Sequence, residues 1–174
     1  MAKQKVKKMD SEKIKKKAKD VLLNSGLPTD RPIDVTLLAQ KQGYKVYEVL
    51  FDDKDIAGMT VDSDKEKSIY VSKQDNEGRK RFTIAHELAH AILHHKKLKK
   101  EKRIVDYRKP LTDYENSAEL RREIQANMFA AELLMPEHLT RKFWDFKKDV
   151  DEMANFFTVS PKAAVVRLES LSLI

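Results

Sequence analysis

The stretch Arg81-Phe82-Thr83-Ile84-Ala85-His86-Glu87-Leu88-Ala89-His90-Ala91-Ile92-Leu93-His94 sets two histidines four residues apart, with a glutamate directly after the first. No Gly or Pro interrupts it, and Ile84, Leu88, Ala91 and Ile92 form an apolar stripe away from the histidines. The segment is therefore expected to be a helix with one buried face. On such a helix His86 and His90 stand one above the other and can bring imidazole nitrogens to one tetrahedral metal ion. Glu87 sits about 100° round the helix. From there its carboxylate can take a proton from a water in the ion's open position and later hand it to a leaving amine. This is the H-E-x-x-H pattern of metallopeptidases. A chain of this composition produces it by chance only about 0.02 times. The plainer alternative is an amphipathic helix with two surface histidines, and a third ligand tells the two apart.

Two imidazoles and one carboxylate leave the fourth zinc position open, so the third ligand is expected to be an acid on a second helix. Residues 118–134 run without a helix breaker and carry Leu120, Ile124, Phe129, Leu133 and Leu134 on an apolar side. The acids of that segment are Glu119, Glu123 and Glu132. Glu123 is preferred because the small Ala126 and Ala130 follow it on neighbouring faces and let another helix come close; Glu119 is the fallback. Asn127, one turn on, can accept the remaining ring N–H of a ligating histidine and fix its orientation. His94 shares the face of His86 but lies about 12 Å along the axis, too far for the same ion. An outer-shell or cleft-wall role is expected for it, or packing at the helix end, while His95 faces elsewhere toward solvent.

With these two stretches the chain resembles the ImmA/IrrE metallo-endopeptidases, whose members carry H-E-x-x-H and then Glu-x-x-Ala-Asn-x-Phe-Ala-Ala-x-Leu-Leu-Met-Pro. Here the second stretch is Glu123-Ile124-Gln125-Ala126-Asn127-Met128-Phe129-Ala130-Ala131-Glu132-Leu133-Leu134-Met135-Pro136. The likeness runs from about Ile33 to Ile174, taking in Arg81 to Ala85 and Phe157-Thr158-Val159-Ser160-Pro161. It implies one zinc ion held by His86, His90 and Glu123, with Glu87 as catalytic base. It also implies a protein substrate: a bacterial helix-turn-helix repressor, cut at one site so that genes of a mobile element or a stress response are switched on. Ala89 stands where many members have Gly, a mild departure, because Ala is the better helix former and the packing has to admit only one methyl.

Length and composition agree. A chain of 174 residues suits one domain burying roughly 70% of its unfolded surface. The absence of Cys rules out disulfides and thiolate zinc ligands and fits a reducing compartment. No apolar run is long enough to cross a bilayer, and the N-terminus lacks the apolar core of a secretory signal, so a cytoplasmic protein is expected. The formal charge of +7 resides wholly in residues 1–19, where nine Lys face Asp10 and Glu12; the rest of the chain sums to zero. A solvated tail leading into a helix is the expected form of that run, rather than a nucleic-acid grip. A second basic run, Lys96 to Arg103, opens a polar connection reaching Ser117, expected as an exposed loop that could alternatively cover the cleft.

The order of elements expected is a helix over 13–24, a helix over 34–42, strands over 44–51, 56–61 and 68–72, and the H-E-x-x-H helix over about 80–95. The Glu123 helix, a helix over 136–146 and two short helices at 149–157 and 161–170 complete it. The fold class is α+β: a small antiparallel three-stranded sheet on a zincin-like helical core with a C-terminal helical extension. The segments are 1–30, basic tail and helix; 31–148, peptidase core; and 149–174, a helix-turn-helix-like extension, within one domain overall. Ser68 to Ser72 is the expected sheet edge along which an extended peptide adds as a strand. Tyr107, Arg108, Tyr114 and His138 are all open as stabilisers of the oxyanion.

The rival reading comes from Met153 to Leu168, which has the rhythm of a helix-turn-helix with Ser160 opening its second helix. Yet Lys162 and Arg167 stand amid Ala163, Ala164, Val165 and Val166, too apolar a surface for a major groove, and Asp151 and Glu169 oppose phosphate. A DNA-binding regulator is thus the alternative, with a catalytically silent metal sensor as a third possibility, for which Glu87 would have no task.

Overall fold

A computed structural model describes residues 2–53, 55–94, 104–107 and 117–174. Helix α1 (Ala2–Asn24) continues through the lysine run where a tail was expected; Lys is a good helix former and no Gly or Pro stops it. Ile14, Ala18, Val21 and Leu22, spaced along one face, are buried. Helix α2 (Val35–Lys41) starts at Asp34, whose carboxylate accepts from the Leu37 N–H, and turns at Gly43, where φ is +90°. That left-handed backbone suits Gly, which has no Cβ to clash.

Three strands follow: β1 (Lys45–Val49), β2 (Gly58–Asp62) and β3 (Lys67–Ser72). The hairpin β2–β3 is antiparallel, closed by a turn in which the Ser63 N–H donates to the Glu66 carbonyl at 2.8 Å. The α+β class is as expected, but the sheet is mixed. β1 pairs parallel with β3, and a fourth strand, β4 (Ile104–Tyr107), adds antiparallel to β2, giving the order β1-β3-β2-β4. β3 is therefore interior, and the expectation that Ser68 to Ser72 forms the peptide-binding edge is corrected. Ile69 and Val71 are buried, as befits a central strand, whereas Lys45, Tyr47 and Glu48 of β1 are exposed, as befits an edge.

Helix α3 (Glu77–Leu93) is capped by Asn76, which accepts from the Arg79 N–H. Every residue from Thr83 to Ile92 is buried, so this helix is enclosed on all sides rather than along one stripe. It packs on α2, on β2 and β3, and on α4 (Ser117–Leu134). Ala85 and Ala89 on α3 and Ala126 and Ala130 on α4 are fully buried; small side chains let two helix backbones approach. Ile124, expected on the apolar side of α4, is instead partly exposed.

Helices α5 (Glu137–Lys147), α6 (Val150–Phe157) and α7 (Pro161–Ser170) gather a second cluster from Met135, Leu139, Met153, Ala154, Phe157, Ala164 and Leu168. Asp149 and Ser160 cap α6 and α7 by accepting from the N–H groups of Glu152 and Ala163. Helix α4 ends at Leu134, just ahead of Met135-Pro136, because Pro disfavours helical geometry in the residue before it, and α5 opens directly after Pro136. A buried ion pair ties this cluster to α4: the Arg167 guanidinium donates to Glu132 and, at 2.9 Å, to the Met135 carbonyl. Glu132 also accepts from the N–H of Glu137 at 3.1 Å. Arg167, read from sequence as part of a would-be DNA-facing helix, is thus buried and engaged within the fold.

Candidate metal centre

Helix α3 supplies His86, Glu87 and His90, and α4 supplies Glu123 and Asn127. The two Nε2 atoms are 3.0 Å apart. Glu123 bridges them, with Oε2 at 3.1 Å from His86 Nε2 and Oε1 at 3.1 Å from His90 Nε2. All three side chains are buried, and among the described residues they form the group whose donor atoms could share one metal ion. Tetrahedral bonds of about 2.0–2.1 Å to N and O separate neighbouring donors by roughly 3.3 Å. The observed spacings of 3.0–3.1 Å are close to that, so His86, His90 and Glu123 would suit a small divalent cation.

The ring orientation agrees. His86 Nδ1 lies 2.9 Å from the Asn127 side-chain oxygen, so the ring N–H on that side donates there and Nε2 is turned toward Glu123 and His90. Burial acts to raise the pKa of the Glu123 carboxyl, but hydrogen bonds from His86 and His90 outweigh it and hold the group at about 2. An ionised carboxylate beside two imidazole nitrogens is the donor set of a hydrolytic zinc site.

Glu87 is 1% exposed. Its Oε2 accepts from the Thr60 hydroxyl on β2 at 2.7 Å. Sequence reasoning missed Thr60, and no local spacing marks it; Gly58, two residues earlier in the same strand, was the available signal of a close approach. Glu119, the fallback ligand, is exposed. His94 caps the C-terminus of α3 with its ring 5.5 Å from that of His90, beside the cluster but not among its three donors. His138 is bonded to the Thr29 carbonyl at 2.9 Å. Arg108, Tyr114, His95 and the basic run Lys96 to Arg103 lie outside the described residues, and Tyr107 is placed at the end of β4, paired with Met59.

Two histidines one turn apart, a glutamate between them and a carboxylate from the next helix define a protein of the H-E-x-x-H metallopeptidase class. The Peptidase M78 family model, described as the IrrE N-terminal-like domain, matches residues 39–169, and the chain belongs to that family. Among solved structures, a Mycobacterium tuberculosis transcriptional regulator has a similar fold, with a TM-score of 0.61 and 23% identity. The match covers 90% of this chain and 46% of that one, so the chain spans less than half of the relative's length. No curated protein matches the chain. Among the described residues, no helix is long and apolar enough to cross a membrane.

Proposed function

We propose that this protein is a zinc-dependent, site-specific endopeptidase of the bacterial cytoplasm. Its proposed substrate is a helix-turn-helix repressor whose cleavage switches on genes of a mobile element or a stress response. The observation that carries the reading is the convergence of His86, His90 and Glu123 within 3.1 Å of one another, with the buried Glu87 on the next position of the same helix. Family membership supports a metal-dependent peptidase and hence a protein substrate.

His86, His90 and Glu123 would hold the zinc, which when bound supplies Lewis acidity at the open position. Asn127 keeps the His86 ring turned with Nε2 inward. Glu87 acts as general base toward the attacking water and then as acid toward the leaving amine, both from one carboxylate held by Thr60. The burial of Arg167 removes a phosphate-binding cation from the α6–α7 pair and so speaks for packing on the core rather than docking on DNA.

The test is a substrate trap. Tagged Glu87→Gln should retain its metal and capture the substrate from the native host without cutting it. Incubating each captured protein with wild type should then yield one pair of fragments from a helix-turn-helix regulator. Cleavage by Glu87→Gln at the wild-type rate would sink the mechanism, and capture of cut proteins with no helix-turn-helix would move the substrate class elsewhere.

A further inference from the structure

Strand β2 packs against the H-E-x-x-H helix. Two residues of strand advance about 6.7 Å and four residues of helix about 6 Å, so alternate strand positions can meet successive helical turns. Here the positions are Gly58 and Thr60 against Thr83 and Glu87. A Cβ added at Gly58 would stand 2.3 Å from Thr83 Cγ2 and 3.4 Å from Glu87 Cγ. The strand therefore rests against the stem of Glu87 where it carries no side chain. Two residues on, the wholly buried Thr60 donates its hydroxyl to Glu87 Oε2 at 2.7 Å.

A glutamate's last torsion is broad and roughly two-fold, so an unrestrained carboxylate samples many orientations. With the stem against Gly58 and one oxygen held by Thr60, the direction of the other oxygen is set before any substrate arrives. Pre-set donors and acceptors need no reorganisation during reaction, which is where such arrangements gain rate. We propose that Thr60, backed by the close approach at Gly58, is a positioning residue that fixes the catalytic orientation of the Glu87 carboxylate. The proposal rests on the metallopeptidase reading above and names the part of the sheet that serves it.

Binding of acetohydroxamic acid to the cobalt(II)-loaded full chain tests it without any knowledge of the substrate. This chelator takes the metal's open position and exchanges a hydrogen bond with the residue acting as base, and the visible cobalt spectrum reports its affinity. Thr60→Val, which keeps the volume, and Thr60→Ala, which does not, should both bind one cobalt per chain. Both should bind the hydroxamate about tenfold more weakly, the scale of one charge-assisted hydrogen bond. Thr60→Ser should stay within about twofold of wild type, because the hydroxyl is kept. In a Glu87→Ala background, Thr60→Val should cause no further loss, which separates an effect through Glu87 from general loosening. Unchanged affinity in Thr60→Val, or an equal loss with and without Glu87, overturns the proposal alone. Wild type that binds neither cobalt nor hydroxamate overturns the metallopeptidase reading and this proposal with it.

Discussion

Asn127 contributes one oxygen to the centre, 2.9 Å from the outer nitrogen of His86, and that oxygen selects which ring nitrogen faces the other donors. Asn127→Ala should keep the fold and lower zinc affinity by roughly 10–100-fold, as loss of an outer hydrogen-bond partner does, measured by competition with a fluorescent chelator. Glu123→Ala should leave purified protein with little or no zinc by elemental analysis, whereas Glu119→Ala, at an exposed position, should retain a full complement. Normal zinc in Glu123→Ala would move the third ligand to another acid. His86, Glu87 and His90 could be singled out from the sequence because their spacing on one helix is local, and Glu123 could be preferred among the acids of the next helix because the small Ala126 and Ala130 follow it. Thr60 could not, because its contact with Glu87 joins a strand to a helix 27 residues away and follows no repeat.

Among elements, β2 sits tightly on α3 at Gly58. Gly58→Ala would drive a methyl group into Thr83 Cγ2, and the expected cost is about 1–3 kcal/mol of stability, the usual range for overpacking. Thr83→Ser removes that carbon, so the double variant Gly58→Ala/Thr83→Ser should recover part of the loss in urea denaturation. Equal destabilisation of the single and double variants would place the strain elsewhere, against the Tyr70 carbonyl 3.3 Å away. The starts at Asp34, Asp149 and Ser160 were legible because each residue caps its helix by a side-chain hydrogen bond, whereas the cap at Asn76 starts α3 three residues ahead of the expected 80. Sheet order was not legible. The hairpin β2–β3 follows from a short polar turn, but β1 reaches past β2 to pair with β3, and β4 comes from the far side of α3. Alternation tells which faces a strand buries, not which neighbour it takes.

Across the whole molecule, α4 is held from both ends of the chain. Ile14, Ala18, Val21 and Leu22 of α1 share a core with Phe129, Leu133 and Leu134, and Arg167 of α7 reaches back to Glu132 and the Met135 carbonyl. Arg167→Ala leaves Glu132 buried without its cation and should cost about 3–5 kcal/mol, while replacing both partners by Leu and Met should cost far less. A loss below about 1 kcal/mol for Arg167→Ala by urea denaturation would mean that Glu132 finds water or another partner. The same arrangement gives the site a history during translation. Synthesis at about 5–20 residues per second delivers the H-E-x-x-H helix seconds before Glu123, and Arg167 seconds later again. On the ribosome Glu123 thus arrives after His86, Glu87 and His90, and the Arg167 contact that ties down its helix arrives after Glu123.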